Sequence, residues 1–322
     1  MTTAYELAPC PVCGGSASSE VATAETIREE LESLWSFHTR RLRPDTPPRH
    51  LNDRVVFSQR PPFRLVACAT CGTVYRNPRE RADAVTELYR DEPLERAVLA
   101  SLLDTQRFAY RAQARRLTRL AGKPGAGVEL GSYVGGFLDA SREAGWRFEG
   151  VDVNEEVNRF ARSRGFTVTT GSLADLDDGR TFDAVAIWNC FDQLPEPRAT
   201  VRDAKRLLRP GGLLALRVPN GAFYTRLRRY AHGPLRRPAH ALLAHNNLLA
   251  FPYLHGFTPG SLARLLEDAG LEVIRVRGDT LVPVADRWTR PWAIWEERLL
   301  KGATRRTTGA RHAPWFEIYA RT

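Results

Sequence analysis

Four of the five cysteines fall in two short pairs, Cys10-Pro11-Val12-Cys13-Gly14 and Cys68-Ala69-Thr70-Cys71-Gly72. In a CxxCG turn two thiolates can reach one ion, and the glycine lets backbone amides bend toward the sulfurs. Two such turns complete a tetrahedral zinc site with no open position, which makes the ion structural rather than catalytic. The expected ligands are Cys10, Cys13, Cys68 and Cys71, although the 54 residues between the pairs exceed the usual ribbon spacing. A redox CxxC or disulfides are the alternatives. A redox motif would not be expected twice, and residues 1–10 carry neither the basic nor the apolar region of an export signal. Cys190 ends an apolar run and reads as a small buried residue rather than a nucleophile.

A second constellation begins at Glu129-Leu130-Gly131-Ser132-Tyr133-Val134-Gly135-Gly136, with Asp152 further on. Glycines between a strand and a helix let backbone approach a ligand, and an acid about twenty residues later suits ribose hydroxyls. Alone, this pattern fits a dinucleotide-binding dehydrogenase equally well.

The third lies in residues 219–255, which contain Tyr224, Tyr230, His232, His240, His245, Tyr253 and His255. The same stretch has Arg226, Arg228, Arg229, Arg236 and Arg237 but no Asp or Glu. Arginine forks suit phosphate or carboxylate, so at least one is expected to face an anionic acceptor; the alternative puts all five in solvent. His245 and His255, with aromatic and apolar neighbours, are the preferred general-base candidates. Asp192 is the third, and its alternative role is capping a turn.

Elements must position these residues. Residues 23–41 read as a helix with Ile27, Leu31, Leu34 and Trp35 at helical spacing, ended by Pro44, Pro47 and Pro48. Strands are expected at 54–57 and 63–67, then a helical stretch at 83–120 whose Arg111, Arg115, Arg116 and Arg119 form an exposed face. From residue 127 strands and helices alternate: strands near 128–130, 148–153, 166–173, 182–189, 213–218, 272–276 and 315–320, with helices at 138–144, around 204–208 and at 258–271. The expected organisation is a zinc-binding module with a helical insert (1–83), a helical connector (84–121) and an α/β domain (122–322). Within that domain 219–257 would cap the acceptor site.

The succession of the CxxCG pairs, the 129–136 loop, Asp152, the Phe182-Asp183 strand, the Arg209-Pro210-Gly211-Gly212 turn and the 257–270 helix resembles the class I S-adenosylmethionine-dependent methyltransferases. The similarity is to the bacterial branch with an N-terminal four-cysteine zinc ribbon, which includes sugar C-methyltransferases. The resemblance implies a Rossmann-like seven-stranded sheet, mostly parallel, with one reversed strand at the edge. It implies S-adenosylmethionine as cofactor, with Glu129, Gly131, Tyr133 and Gly135 bordering its methionine part and Asp152 on the ribose. Ser172 and Leu173 would border adenine, and Asn189 would lie under the sulfonium. Tyr133 stands where the family usually has Gly, Ser172 where it has Asp, and Gln193 where an acid–His pair supplies a candidate base.

The length of 322 residues allows two domains, and 43% hydrophobic with 26% charged residues is ordinary globular composition. No apolar run approaches the ~18 residues of a membrane span, so a cytoplasmic protein without a membrane partner is expected. The net charge is +10, carried almost wholly by arginine, which suits a GC-rich coding sequence; residues 202–240 alone carry ten basic residues and one acid. The leading function is methyl transfer to a small molecule: a sugar, a nucleotide-linked sugar or a natural-product scaffold. One alternative is an RNA methyltransferase gripping phosphates with the zinc module and arginines. Only Phe223, Tyr224 and Tyr230 lie among those arginines, a thin platform for stacking bases. Another alternative is a noncatalytic binding protein on the same scaffold.

Overall fold

The computed structural model describes residues 5–46, 63–90, 95–176, 179–246, 248, 253–280, 288–307 and 309–322. The N-terminal part runs β1 (Tyr5–Glu6), β2 (Ser18–Ala22), α1 (Ala24–Arg40), β3 (Leu65–Cys68), β4 (Val74–Arg76), β5 (Arg79–Glu80), α2 (Ala82–Arg90) and α3 (Arg96–Ala121). Thr23 starts α1 by accepting a hydrogen bond from the Thr26 amide at 3.2 Å. The helix buries Ile27, Leu31, Leu34 and Phe37, while Trp35 turns out to solvent at 46% exposure. Phe37 therefore takes the place expected of Trp35. The strand expected at 54–57 lies outside the described residues.

The single helical connector expected at 83–120 is two helices, α2 and α3. Arg116 of α3 is not on an exposed face. It is buried beside Glu317, which also accepts from the Gln113 amide at 3.1 Å and the Tyr319 hydroxyl at 2.8 Å. That cluster fastens α3 to the sheet.

The α/β part continues with β6 (Ala126–Leu130), α4 (Gly136–Glu143), β7 (Arg147–Asp152), α5 (Glu155–Ser163), β8 (Val168–Thr170), β9 (Phe182–Trp188), α6 (Pro197–Arg206) and β10 (Leu208–Pro219). It ends with α7 (Gly221–Arg228), α8 (Arg236–Leu243), β11 (His255–Gly256), α9 (Pro259–Asp268), β12 (Glu272–Asp279), α10 (Pro291–Thr307) and β13 (Trp315–Arg321). The seven-stranded sheet has the order β12-β13-β10-β9-β6-β7-β8. Residues of β9 alternate across it: Ala184, Ala186 and Trp188 pack with α3 and α4, while Val185 and Ile187 pack with α6 and α9.

The reversed strand is β13, antiparallel to both β10 and β12, so it lies one in from the edge rather than at it. Side-chain chemistry explains the order. From Trp315 to Ala320 every residue of β13 is fully buried, which requires neighbours on both sides. Strand β12 is half exposed and carries Glu272, Arg275 and Arg277, as a protected edge should.

The segment expected as a loop-like cap is largely helical, as α7 and α8. The Asn220 side chain caps α7, accepting from the amides of Ala222 and Phe223. Beyond the lid, β11 leaves the large sheet and pairs with β4, giving a four-stranded antiparallel sheet β11-β4-β3-β2. The lid also docks on α1, where Arg228 Nε lies 2.7 Å from Glu30 Oε1 and the Tyr224 hydroxyl donates to Glu30 Oε2 at 2.6 Å. Removing one partner of a buried pair strands the other. Glu30→Ala is therefore expected to cost about 3–5 kcal/mol in urea unfolding and to raise hydrogen exchange in α7; native-like values in both would show that the lid is held elsewhere.

Candidate functional site

The carboxyl ends of adjacent strands β9, β6, β7 and β8 bring the expected cofactor residues to one edge of the sheet. After β6 the chain turns sharply at Gly131, at φ +72°, and a Cβ there would stand 2.5 Å from the Cys190 sulfur. Gly135 caps α4 at φ +85°, where a Cβ would meet the Phe166 ring at 2.7 Å. Between them Tyr133 adopts φ +47°, an uncommon left-handed conformation for a residue with a side chain. The turn keeps its shape without the family's glycine because the Tyr133 amide donates to Asp152 Oδ2 at 3.0 Å.

The Asn154 amide donates to the other Asp152 oxygen at 3.0 Å. Burial raises the pKa of Asp152, and these amides pull it back. A carboxylate offers about four acceptor positions, so two remain for ribose hydroxyls. Glu129 is 2% exposed, and its Oε2 has no hydrogen-bond partner among the described residues. Burial, and then the Asp152 charge, hold it well above the usual carboxylate range. An orphaned acid beside a glycine cradle suits a cationic ammonium and so fits S-adenosylmethionine.

Ser172, which stands at a position usually held by Asp, binds the carboxylate of Asp175 through its amide and hydroxyl. Arg206 of α6 steadies that loop by donating to the carbonyls of Leu173 at 3.1 Å and Leu176 at 3.0 Å. Asn189, at φ +58°, donates from Nδ2 to the Tyr110 hydroxyl at 2.9 Å, and its Oδ1 is buried without a partner.

Asp192 lies in a single helical turn at Phe191–Gln193 and is fully buried, with no hydrogen bond to either carboxylate oxygen among the described residues. Burial pushes its pKa well above the usual carboxylate range. Its charge in turn raises Tyr89, Tyr253 and Cys190, all of which are shifted first by burial. Cys190 is thus a poor thiolate, in keeping with a packing role. Gln193 accepts from the Tyr89 hydroxyl and donates to the Asn189 carbonyl at 2.8 Å. Instead of a base, this side chain links α2 to the turn after β9.

His245 lies in the core between the lid and α1, whereas His255 adjoins the turn that bears Asp192. The His245 ring stands edge-on to Phe37 at 5.2 Å in the lid–α1 core, and burial lowers its pKa to about 3. His255 sits in β11 opposite Tyr75; its Nε2 is 3.0 Å from the Leu194 carbonyl and therefore carries the proton, and burial lowers it to about 3. Both rings are neutral at pH 7 and too weakly basic to match that pH.

Of the five lid arginines, Arg228 is spent on Glu30, and Arg226 approaches His312 and the Arg311 carbonyl. Among the described residues no hydrogen bond or ion pair joins any of the five to the Asp192 cluster. The arginine that Tyr110 and Tyr253 feel is Arg217 of β10, buried 3.1 Å from Asp279, and the one that Tyr89 feels is Arg76. Sequence reading passed over Tyr89, Tyr110 and Arg217. The first two belong to helices read as a connector, and the third looked like one more residue of an arginine-rich stretch.

The four cysteines converge as expected from their pairing. Cys10 and Cys71 sulfurs are 3.5 Å apart, those of Cys13 and Cys68 are 3.4 Å apart, and all four lie within 4.8 Å. Edges near ~3.8 Å follow from a tetrahedron with Zn–S of ~2.3 Å, whereas a disulfide requires ~2.05 Å. Each knuckle closes alike, Gly14 N to Cys10 O and Gly72 N to Cys68 O, both at 2.9 Å. Burial works against Cys68, but the amides of Cys71 and Thr70 and the thiols of Cys13 and Cys10 bring it down to about 6. The knuckles rest on the α/β core, with Arg198 of α6 donating to the Val12 carbonyl at 2.8 Å.

The methyltransferase-domain family matches residues 104–276, more than half of the chain, and the chain belongs to it. That part is an S-adenosylmethionine-dependent methyltransferase domain. The chain is 30% identical over 155 residues to C-methyltransferase NovU of Streptomyces niveus, covering 46% of this chain and 33% of that protein. It thus spans about a third of that relative's length. It is 27% identical over 186 residues to a ubiquinone biosynthesis O-methyltransferase of Methylococcus capsulatus, covering 53% and 72%. A crystal structure of an S-adenosylmethionine-dependent methyltransferase from Mesorhizobium loti is similar at 19% identity, covering 66% and 98%, with a TM-score of 0.45. No helix among the described residues is long and apolar enough to cross a membrane.

The orphaned Asp192 has a measurable consequence. Its pKa is raised on folding, so its contribution is intact below the unfolded value of about 3.9 and is lost as pH rises toward the folded value. Asp192→Asn removes that loss. Urea unfolding at pH 5 and pH 8 should find the variant gaining on the parent as pH rises; a constant difference would mean that Asp192 is solvated.

Proposed function

We propose that the protein is a methyltransferase that moves a methyl group from S-adenosylmethionine to a small molecule, a sugar, nucleotide-linked sugar or natural-product scaffold. The observation that carries this reading is the fully buried, unpartnered Asp192 among Tyr89 and Tyr253, beside the turn that bears Asn189. Such an enclosed polar interior suits a small hydroxylated acceptor better than a nucleic-acid strand. The lid and N-terminal module would roof it and keep water out.

S-adenosylmethionine, when bound, supplies the activated methyl group. Glu129 would meet its ammonium, Asp152 its ribose hydroxyls, the 172–173 backbone its adenine, and Asn189 the region of the sulfonium. Gly131 and Gly135 would let the backbone lie against it. Orientation is most of the remaining task. The names of the two relatives place methyl groups on carbon and on oxygen. An acceptor hydroxyl or carbon acid must lose a proton as the new bond forms, and Asp192 would take it at a carboxylate oxygen. A carboxylate with a raised pKa is suited to that role near neutral pH. Arg217 is already paired with Asp279, so a neutral acceptor is accommodated as readily as an anion.

Asp152→Ala removes two charge-assisted hydrogen bonds to ribose, each worth about 1.5–3 kcal/mol. S-adenosylmethionine affinity by calorimetry should fall at least about tenfold. Unchanged affinity in a folded variant would refute the assignment, and preferential binding of a nicotinamide dinucleotide would refute the class.

Cys10, Cys13, Cys68 and Cys71 would hold a structural zinc ion, keeping the N-terminal module seated on α6 in a reducing compartment such as the cytoplasm. Elemental analysis of protein purified without chelator should find a single zinc per chain, and Cys68→Ser should lose it. Zinc-free, fully folded wild-type protein would sink the proposal.

A further inference from the structure

Asn189 has three of its four polar groups engaged. Its amide donates to the Arg217 carbonyl at 3.2 Å, its carbonyl accepts from Gln193 Nε2 at 2.8 Å, and its Nδ2 donates to the Tyr110 hydroxyl at 2.9 Å. The fourth, Oδ1, is buried without a partner among the described residues. A carbonyl oxygen left in that state costs stability until a donor or a cation faces it.

The surroundings point to the cation. Cys190, the next residue, is shifted first by burial and then by the charges of Asp192, Asp152 and Glu129. The turn at 189–190 therefore lies within reach of both cofactor carboxylates. In S-adenosylmethionine the sulfonium lies between the ammonium and the ribose by covalent connection. With Glu129 at the first and Asp152 at the second, this turn stands beside the sulfur.

Tyr110 belongs to α3, the helix that Arg116 fastens to Glu317, and its ring stands edge-on to Phe137 at 5.9 Å. Burial raises its pKa, and Glu129 adds to the rise, so the hydroxyl stays protonated and neutral. A hydroxyl can accept or donate, so by itself it does not choose which end of the amide it meets. Turned over, however, the amide would aim an N–H at a positive charge. With Tyr110 accepting from Nδ2 and a cation facing Oδ1, both ends are satisfied at once.

We infer that Tyr110 is a positioning residue for the cofactor, holding the Asn189 amide so that Oδ1 faces the sulfonium. The inference rests on the cofactor reading above and extends it to a helix that the sequence presents as a connector. Its consequence is discrimination. A carbonyl dipole aimed at sulfur attracts the charged methyl donor and gains nothing from S-adenosylhomocysteine, the neutral thioether left after transfer, so Tyr110 favours exchange of spent cofactor for fresh.

Calorimetry of the full chain with S-adenosylmethionine and with S-adenosylhomocysteine tests this without any acceptor. Tyr110→Phe orphans Nδ2 in the cation-facing orientation, and should lower the ratio of the two affinities by about fivefold. Loosened packing alone would weaken both ligands together and leave the ratio where it was. Asn189→Gly, which tolerates the backbone at φ +58°, should lower the ratio at least as far. Adding Tyr110→Phe to that variant should change the ratio no further, because the tyrosine acts through the amide. An unchanged ratio in Tyr110→Phe, or an equal further drop in the double variant, overturns the role of Tyr110 and leaves the cofactor reading standing. A parent protein that binds neither compound overturns both.

Discussion

The pairing of His255 with Tyr75 and of Gly256 with Val74 is the constraint on which the rest of the molecule turns. Two residues of backbone leave the methyltransferase sheet's own connections and complete a sheet that belongs to the N-terminal module. The crossing is close: a Cβ on Gly221 would lie 2.1 Å from the Gly256 carbonyl oxygen, so the lid can start only where this strand passes. Leu254, next in line, donates its amide to the Asp192 carbonyl and accepts from the Arg76 amide. One short strand therefore joins the zinc-knuckle sheet, the lid and the turn that bears Asp192. A module that reads in sequence as a separate domain is part of the wall around the site.

That wall encloses groups that would be more stable in water. Glu129, Asp192 and Asn189 each bury an oxygen without a hydrogen bond among the described residues, and Tyr133 and Asn189 hold left-handed backbone despite their side chains. Each feature costs stability, of order 1–3 kcal/mol for a strained backbone residue. They gather at the carboxyl ends of β6 and β9, whereas under α3 the buried Glu317 carboxylate is held by Arg116, Gln113 and Tyr319.

Much of this was legible in the chain. The seven strands and their succession, the glycine turn, Asp152 and the doubled CxxCG all announce themselves by local pattern, because period, turn chemistry and thiol spacing are local properties. Three things were not. The position of β13 inside the sheet depends on the comparative burial of two strands more than thirty residues apart. The helices α7, α8 and α10 are weakly patterned and rest on neighbours supplied by α1. Tyr89, Tyr110 and Arg217 acquire meaning only when α2, α3 and β10 are folded around the turn after β9. His245 and His255 were singled out by their apolar sequence neighbours, which describe a core as well as they describe a site.

The charge distribution completes the picture. An excess of ten positive charges invites a nucleic-acid reading, yet most of the arginines between residues 202 and 228 bind the protein itself. Arg206 holds the loop after β8, Arg209 pairs with Asp183, Arg217 with Asp279 and Arg228 with Glu30. A guanidinium can satisfy several carbonyls or carboxylates at once, so an arginine-rich sequence can use its charge as internal bracing. Among the described residues no ion pair holds Arg229, Arg236 or Arg237 of the lid, although Glu29 and Glu32 line the cleft that contains the last two. Arg236 and Arg237 follow the exposed Leu235 rather than a row of aromatic rings. The net charge of the chain is thus a poor guide to its partner.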